Sequence, residues 1–260
     1  MKVTQYPDVN EVLSLLSTQL QEIFADKLVA LYLTGSLSYG DFDYGSSDID
    51  FLAVLNTDLT ANELLAIKKM HQEIAQQVPY WAKRLEGSYI PREWLNNFAK
   101  PLKKRPYVNA AYVALLPYGD EWLLNLYVLS KCGITLLGKK PEELIKAIDI
   151  KDVREASKKD LLNEWQAKLQ EKNPFIHPKY DSSHLQAYAI LTMCRILHRA
   201  KIDAVASKKK AATWVKKTYP QWSSLIEEAE NWQHGIKLDK QEQVKALISF
   251  VIQEVAGSEF

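Results

Sequence analysis

The chain has 260 residues, 47% of them hydrophobic and 25% charged, and a formal net charge of +1; it can bury a core without staples, as one large domain or two small ones. Its near-zero charge argues against a nucleic-acid partner, whose sequence-independent capture takes a clear excess of Lys and Arg, and no apolar run approaches the ~20 residues of a membrane span. Cys132 and Cys194 lack metal-type spacing and fit a reducing compartment, and Asp8, Asn10 and Glu11 interrupt the N-terminal apolar residues, so a cytoplasmic protein without a signal peptide or membrane partner is expected.

In chain order, Val12, Leu15, Leu16, Leu20, Ile23 and Phe24 recur at helical spacing and predict a helix over 9–25. The apolar run 28–33 (LVALYL) predicts a buried strand ending in a turn at Gly35, and 49–55 a second strand. Residues 60–77 carry helical periodicity. A strand is expected over 84–90, stopped by Pro91, and another over 108–116. After it come a helix from Trp122 to Gly133, a short extended piece (ITLLG) and a helix starting at Pro141. From about 150 only helical periodicity is present, around Leu161–Leu169, Leu185–Leu197, Leu225–Trp232 and Val244–Val255. The expected fold class is α+β, with a mixed sheet and helices over 1–150 and an all-α bundle over 151–260.

The chemistry concentrates in LTGSLSYGDFDYGSSDIDFLAVL, residues 33–55. On a strand, residues two apart share a face, so Asp48 and Asp50 point the same way, at the mouth of a strand apolar on both faces. Two like charges there raise each other's pKa. Three readings stand: a solvated strand end, a pair met by a distant Lys or Arg, or a divalent cation site. Mg2+ accepts one or two carboxylates plus substrate phosphates. Gly35 and Ser36 favour that reading, because glycine admits a phosphate close to the backbone and a serine holds its oxygens.

Gly35-Ser36 followed by Asp48-x-Asp50 entering an apolar strand resembles the DNA-polymerase-β-type nucleotidyltransferases. Arg84-Leu85-Glu86, residues 126–145 (LYVLSKCGITLLGKKPEELI) and residues 191–215 (LTMCRILHRAKIDAVASKKKAATWV) further resemble the aminoglycoside adenylyltransferases that modify streptomycin and spectinomycin. The resemblance implies a nucleotidyltransferase domain followed by a helical domain, with ATP as co-substrate and Mg2+ as cofactor. It assigns the metal to Asp48 and Asp50, the general base to Glu86, and nucleotide contacts to Gly35, Ser36, Arg195 and Lys208. Trp232 is a candidate to stack on adenine. The residues themselves also allow plainer roles. Glu86 can be a surface acid or the partner of Arg84, Arg195 a helix-surface charge, Lys208 part of a solvated run, and Trp232 a core aromatic. The acids fall in the first half and the cations in the second, so turnover is expected to need both halves.

The drug-facing part departs from the family pattern. Ala111–Leu116 holds no tryptophan, and Leu185 stands where an acid is expected ten positions before Arg195. Tyr188, His184 and Asp181 lie near that position, and together with Glu86 they are the candidate acceptor contacts. The loop before Asp48 adds Asp41 and Asp43, which would repel a triphosphate. This pattern argues for spectinomycin over streptomycin. The expected activity is transfer of AMP to a hydroxyl of an aminoglycoside-like small molecule by a monomer. Another acceptor (protein or RNA) and a nucleotide-binding module without turnover are the alternatives.

Overall fold

A computed structural model describes residues 3–45, 47–119, 121–176, 181–202, 204–233 and 235–256. The chain divides into two compact units, Met1–Ile148 and Asp149–Phe260.

The first unit opens with helix α1 (Pro7–Phe24), where proline occupies the first turn and Val9, Val12, Leu13, Leu16, Leu20 and Phe24 form one buried stripe. Strand β1 (Leu28–Leu33), one-turn helix α2 (Gly35–Tyr39) and strand β2 (Ile49–Leu55) follow. Helix α3 (Ala61–Gln77) starts on a capping box in which Thr60 and Glu63 satisfy each other's backbone N–H groups. After it come α4 (Pro79–Ala82), β3 (Leu85–Pro91), β4 (Arg105–Asn109), β5 (Tyr112–Leu116), α5 (Trp122–Cys132), β6 (Ile134–Gly138) and α6 (Pro141–Leu144).

The sheet runs β5-β4-β3-β2-β1-β6. Among the described residues only β2 and β3 pair in parallel, so the sheet is mixed. One face, with Leu31, Leu33, Ile49, Phe51, Ala53, Leu55, Leu85 and Tyr89, packs into a core with α1 and α3. The alternate residues of β2 and β3, Asp50 and Glu86 among them, face the other way.

Several local expectations change. The turn at Gly35 is a helical turn, closed by Gly40 in the left-handed region. The strand expected over 108–116 is the hairpin β4–β5, turned by Ala110-Ala111, with Ala110 at φ 56°. The strand expected over 84–90 is β3, which takes in Pro91 as its last residue, in register with Leu55; a proline's missing N–H is tolerated at such a strand end. The helix expected from Pro141 is a single turn.

The second unit is helical: α7 (Ile150–Asp160), a π-turn over Leu161–Trp165, α8 (Gln166–Gln170), α9 (Ser182–Ile202), α10 (Lys208–Thr218), α11 (Ser223–Glu230) and α12 (Gln241–Ala256). Helix α9 is central, and α10, α11 and α12 each pack on it. Its Ala189, Ile190, Met193, Cys194 and Leu197 anchor a separate core. Helix α10 was not anticipated as an element; Ser207 caps it by accepting from the Lys210 N–H.

Candidate active site

The acids come together through strand register. Asp50 on β2 and Glu86 on β3 are Cα partners across the parallel pair. In each seven-residue strand, that acid is the single position not fully buried. An apolar strand thus carries one half-open carboxylate at its entrance, and the two entrances lie side by side. Asp48, two residues before Asp50, is more open, with a side chain 56% exposed.

Gly35 fits against this pair. Its φ is +60°, and a Cβ built there would fall 1.8 Å from Asp50 Oδ2. Only glycine gives both the left-handed backbone and the room for the carboxylate. The Thr34 N–H donates to the Asp50 carbonyl at 2.9 Å, tying the start of α2 to β2. Ser36 follows in the first turn of α2, where backbone N–H groups have no intrahelical partner.

Arg84, just before β3, joins Asp48 to its loop. Its Nε lies 3.9 Å from Asp48 Oδ1, and Nη1 donates to the Tyr44 carbonyl and the Tyr80 hydroxyl, each at 2.9 Å. The guanidinium stands 4.9 Å from the Trp81 ring, a distance at which cation–π attraction is felt. Asp8 accepts from the Tyr44 hydroxyl and from Trp81 Nε1, so the loop is latched to α1 and α4. Asp43, one of the acids expected to trouble a triphosphate, accepts the Gly45 N–H through Oδ1 and shapes its own turn.

Glu86 is held from the neighbouring strand: the Tyr107 hydroxyl on β4 donates to Glu86 Oε1 at 2.5 Å. Tyr107 sits opposite Ser88, diagonal to Glu86. Sequence reading missed Tyr107, Arg105 and the part played by Arg84. The β3–β4 register that selects Tyr107 has no local signature in the sequence.

Asp48 and Asp50 fit Mg2+. Asp50 lies on β2 with the Gly35 cradle against it, and Asp48 stands two residues earlier, just before the strand. Among the described residues no group of three or more His, Cys, Asp or Glu is arranged to hold a metal. A two-carboxylate donor set matches a cation whose remaining ligands are phosphates and water.

In the second unit, His184, Tyr188 and Arg195 are spaced four and seven along α9, which places them on one face. The Arg195 Nε is buried without a hydrogen-bond partner among the described residues. Lys208 is the first residue of α10, and α10 packs on α9. Trp232 is half-buried after α11, with Nε1 donating to the Ile236 carbonyl at 2.8 Å and its ring edge-to-face with His184 at 5.5 Å. Tyr188 stacks on Trp165 at 6.4 Å and stays 45% exposed. Asp181 caps the start of α9, accepting the Ser183 N–H at 2.9 Å.

With this geometry in place, residues 13–99 match the family model of the nucleotidyltransferase domain, and residues 143–256 that of the aminoglycoside adenylyltransferase C-terminal domain. Among solved structures the chain is similar to the spectinomycin adenyltransferase AAD(9) from Enterococcus faecialis, crystallised with ATP and spectinomycin. That likeness has a TM-score of 0.71 and 18% identity over 95% of this chain and 99% of that one; at such identity it speaks to the fold. Comparison with curated proteins gave no match.

Proposed function

The chain belongs to the aminoglycoside adenylyltransferase family, and from that premise we propose that it moves AMP from ATP to a hydroxyl of spectinomycin or a like aminocyclitol, releasing pyrophosphate. One observation carries this reading: Asp50 and Glu86 stand in register as the half-open positions of two otherwise buried parallel strands. On this reading the pair is a metal-holding acid beside an acid that takes a proton.

Glu86 accepts the proton of the acceptor hydroxyl as its oxygen attacks the α-phosphorus. A new P–O bond forms, the bond from that phosphorus to the β-phosphate bridging oxygen breaks, and pyrophosphate leaves. A general base of this kind contributes about 10²–10⁴-fold. Asp48 and Asp50 would hold Mg2+, which when bound supplies charge neutralisation at the phosphates. Gly35 and the backbone of Ser36 admit phosphate oxygens closely. Arg195 offers them a fork and Lys208 a point charge. Trp232 supplies an indole for adenine. Tyr188, His184 and Asp181 face the acceptor with aromatic and acidic groups, the kinds that hold cationic rings.

The test is pyrophosphate release with ATP and Mg2+ against spectinomycin, streptomycin and a panel of other aminoglycosides, with Asp50→Asn as the blank. Release with spectinomycin and not with streptomycin is expected. Release with none of them would overturn the acceptor class and direct the search to a protein or RNA acceptor.

A further inference from the structure

We propose that Tyr107 is a positioning residue for Glu86, its hydroxyl holding one carboxylate oxygen so that the base keeps a single orientation through turnover; this rests on Glu86 acting as the base. A glutamate at a half-open position has three rotatable bonds to fix. Proton transfer needs the carboxylate within hydrogen-bond reach of the acceptor hydroxyl, and small misplacements are costly. Tyr107 has only two side-chain torsions, and it donates to Glu86 Oε1.

The tyrosine is itself fixed. The Arg105 guanidinium lies 5.1 Å from the centre of the Tyr107 ring and 3.8 Å from that of Tyr118. Arg105 is 7% exposed. Its Nε donates to Ser88 Oγ at 3.2 Å, and its Nη1 donates to the carbonyls of Leu116 and Pro117. A buried cation held at several points cannot swing away. Against the ring it also draws electron density from the phenol, which strengthens the O–H as a donor. The order of support therefore runs from the hairpin carbonyls through Arg105 and Tyr107 to the base.

The experiment uses the full chain, with ATP, Mg2+ and spectinomycin as probe. Tyr107→Phe removes the hydroxyl and keeps the ring. The expected result is a kcat about tenfold lower, with the KM for ATP and the melting temperature unchanged. In a Glu86→Asp background, whose shorter carboxylate does not reach the phenol, Tyr107→Phe should cost nothing further. A purely structural role would lower both backgrounds alike, and that result overturns the proposal, as does a Tyr107→Phe enzyme as fast as the parent. A measurement free of turnover accompanies these: with 13Cζ-labelled tyrosine, the Tyr107 resonance should move in Glu86→Gln, and an unmoved resonance overturns the contact. Absence of pyrophosphate from the parent, or a full rate in Glu86→Gln, is a different failure. It removes the base that Tyr107 would position, and the proposal with it.

Discussion

At the scale of single residues, the site turns on a missing methyl group and a retained acid. A Cβ on Gly35 would meet Asp50 Oδ2 at 1.8 Å, and its φ of +60° is one that alanine adopts at a cost of about 1 kcal/mol. That cost corresponds to a melting temperature lower by only about 2–4 °C in a chain of this size, so Gly35→Ala should fold. The Asp50 carboxylate must move, and displacement of about 1 Å at a reacting centre can cost ~10²-fold. Gly35→Ala should therefore lose pyrophosphate release about a hundredfold while melting nearly as the parent does. A variant that keeps its rate would show that Asp50 is not needed where it lies. Glu86→Gln makes the complementary case. It should lower turnover by about 10²–10⁴-fold and leave ATP affinity by calorimetry nearly intact, because its task is the proton. Loss of ATP binding in that variant would instead make Glu86 a metal ligand.

At the scale of elements, the strands bearing the acids were legible because their apolar runs are short, bounded and entered by Asp-Ile-Asp and Arg-Leu-Glu. The β4–β5 hairpin was not, since its turn is Ala110-Ala111, with none of the Asn-Gly or Gly chemistry that marks such turns. Tyr107 was hidden for the same reason: without the hairpin there is no register to place it beside Glu86. Helix α10 was masked by Lys208-Lys209-Lys210, which reads as a charge run until Ser207 is seen capping it. The packing of α3 on the sheet holds a further feature that periodicity does not reveal. His71 is 1% exposed on the buried face of that helix, with Nε2 2.8 Å from the Tyr89 hydroxyl and its ring along Phe51. Burial pulls its pKa from 6.5 down to about 4. The folded state thus favours neutral imidazole, and the unfolded chain binds the proton first as pH falls. The resulting stability is fully present above about pH 6.5 and is lost toward pH 4, by roughly 3 kcal/mol for a shift of this size. The melting temperature should fall across that window, and less steeply in His71→Gln, whose amide still meets Tyr89. An equal slope in the variant would assign the acid sensitivity to other groups.

At the scale of the whole molecule, two cores with no residue in common stabilise two units. The helical second half was legible from its periodicity, and its resemblance to the family from Cys194-Arg195 and Ser207-Lys208. Cys194 itself is packed into the core, where burial pushes its thiol up to about 12, so it is inert and marks the core face of α9. The resemblance assigns nucleotide contacts to Gly35, Ser36, Asp48 and Asp50 of the first unit and to Arg195 and Lys208 of the second, with Trp232 a candidate to stack on adenine. A ligand that binds only the folded state stabilises whatever folded structure it requires, by about 2.7 kcal/mol at a hundred times its Kd. Slowly exchanging amides report that gain unit by unit. With ATP and Mg2+ at that excess, amides of β2 and β3 and amides of α9 and α10 should both gain protection approaching a hundredfold. Arg195→Ala combined with Lys208→Ala should cancel the gain in α9 and α10 and weaken ATP binding, leaving the unliganded protection of the helical core unchanged, since neither side chain belongs to that core. Protection confined to β2 and β3 in the parent would mean that the nucleotide is held by the first unit alone, with no part in it for Arg195 and Lys208.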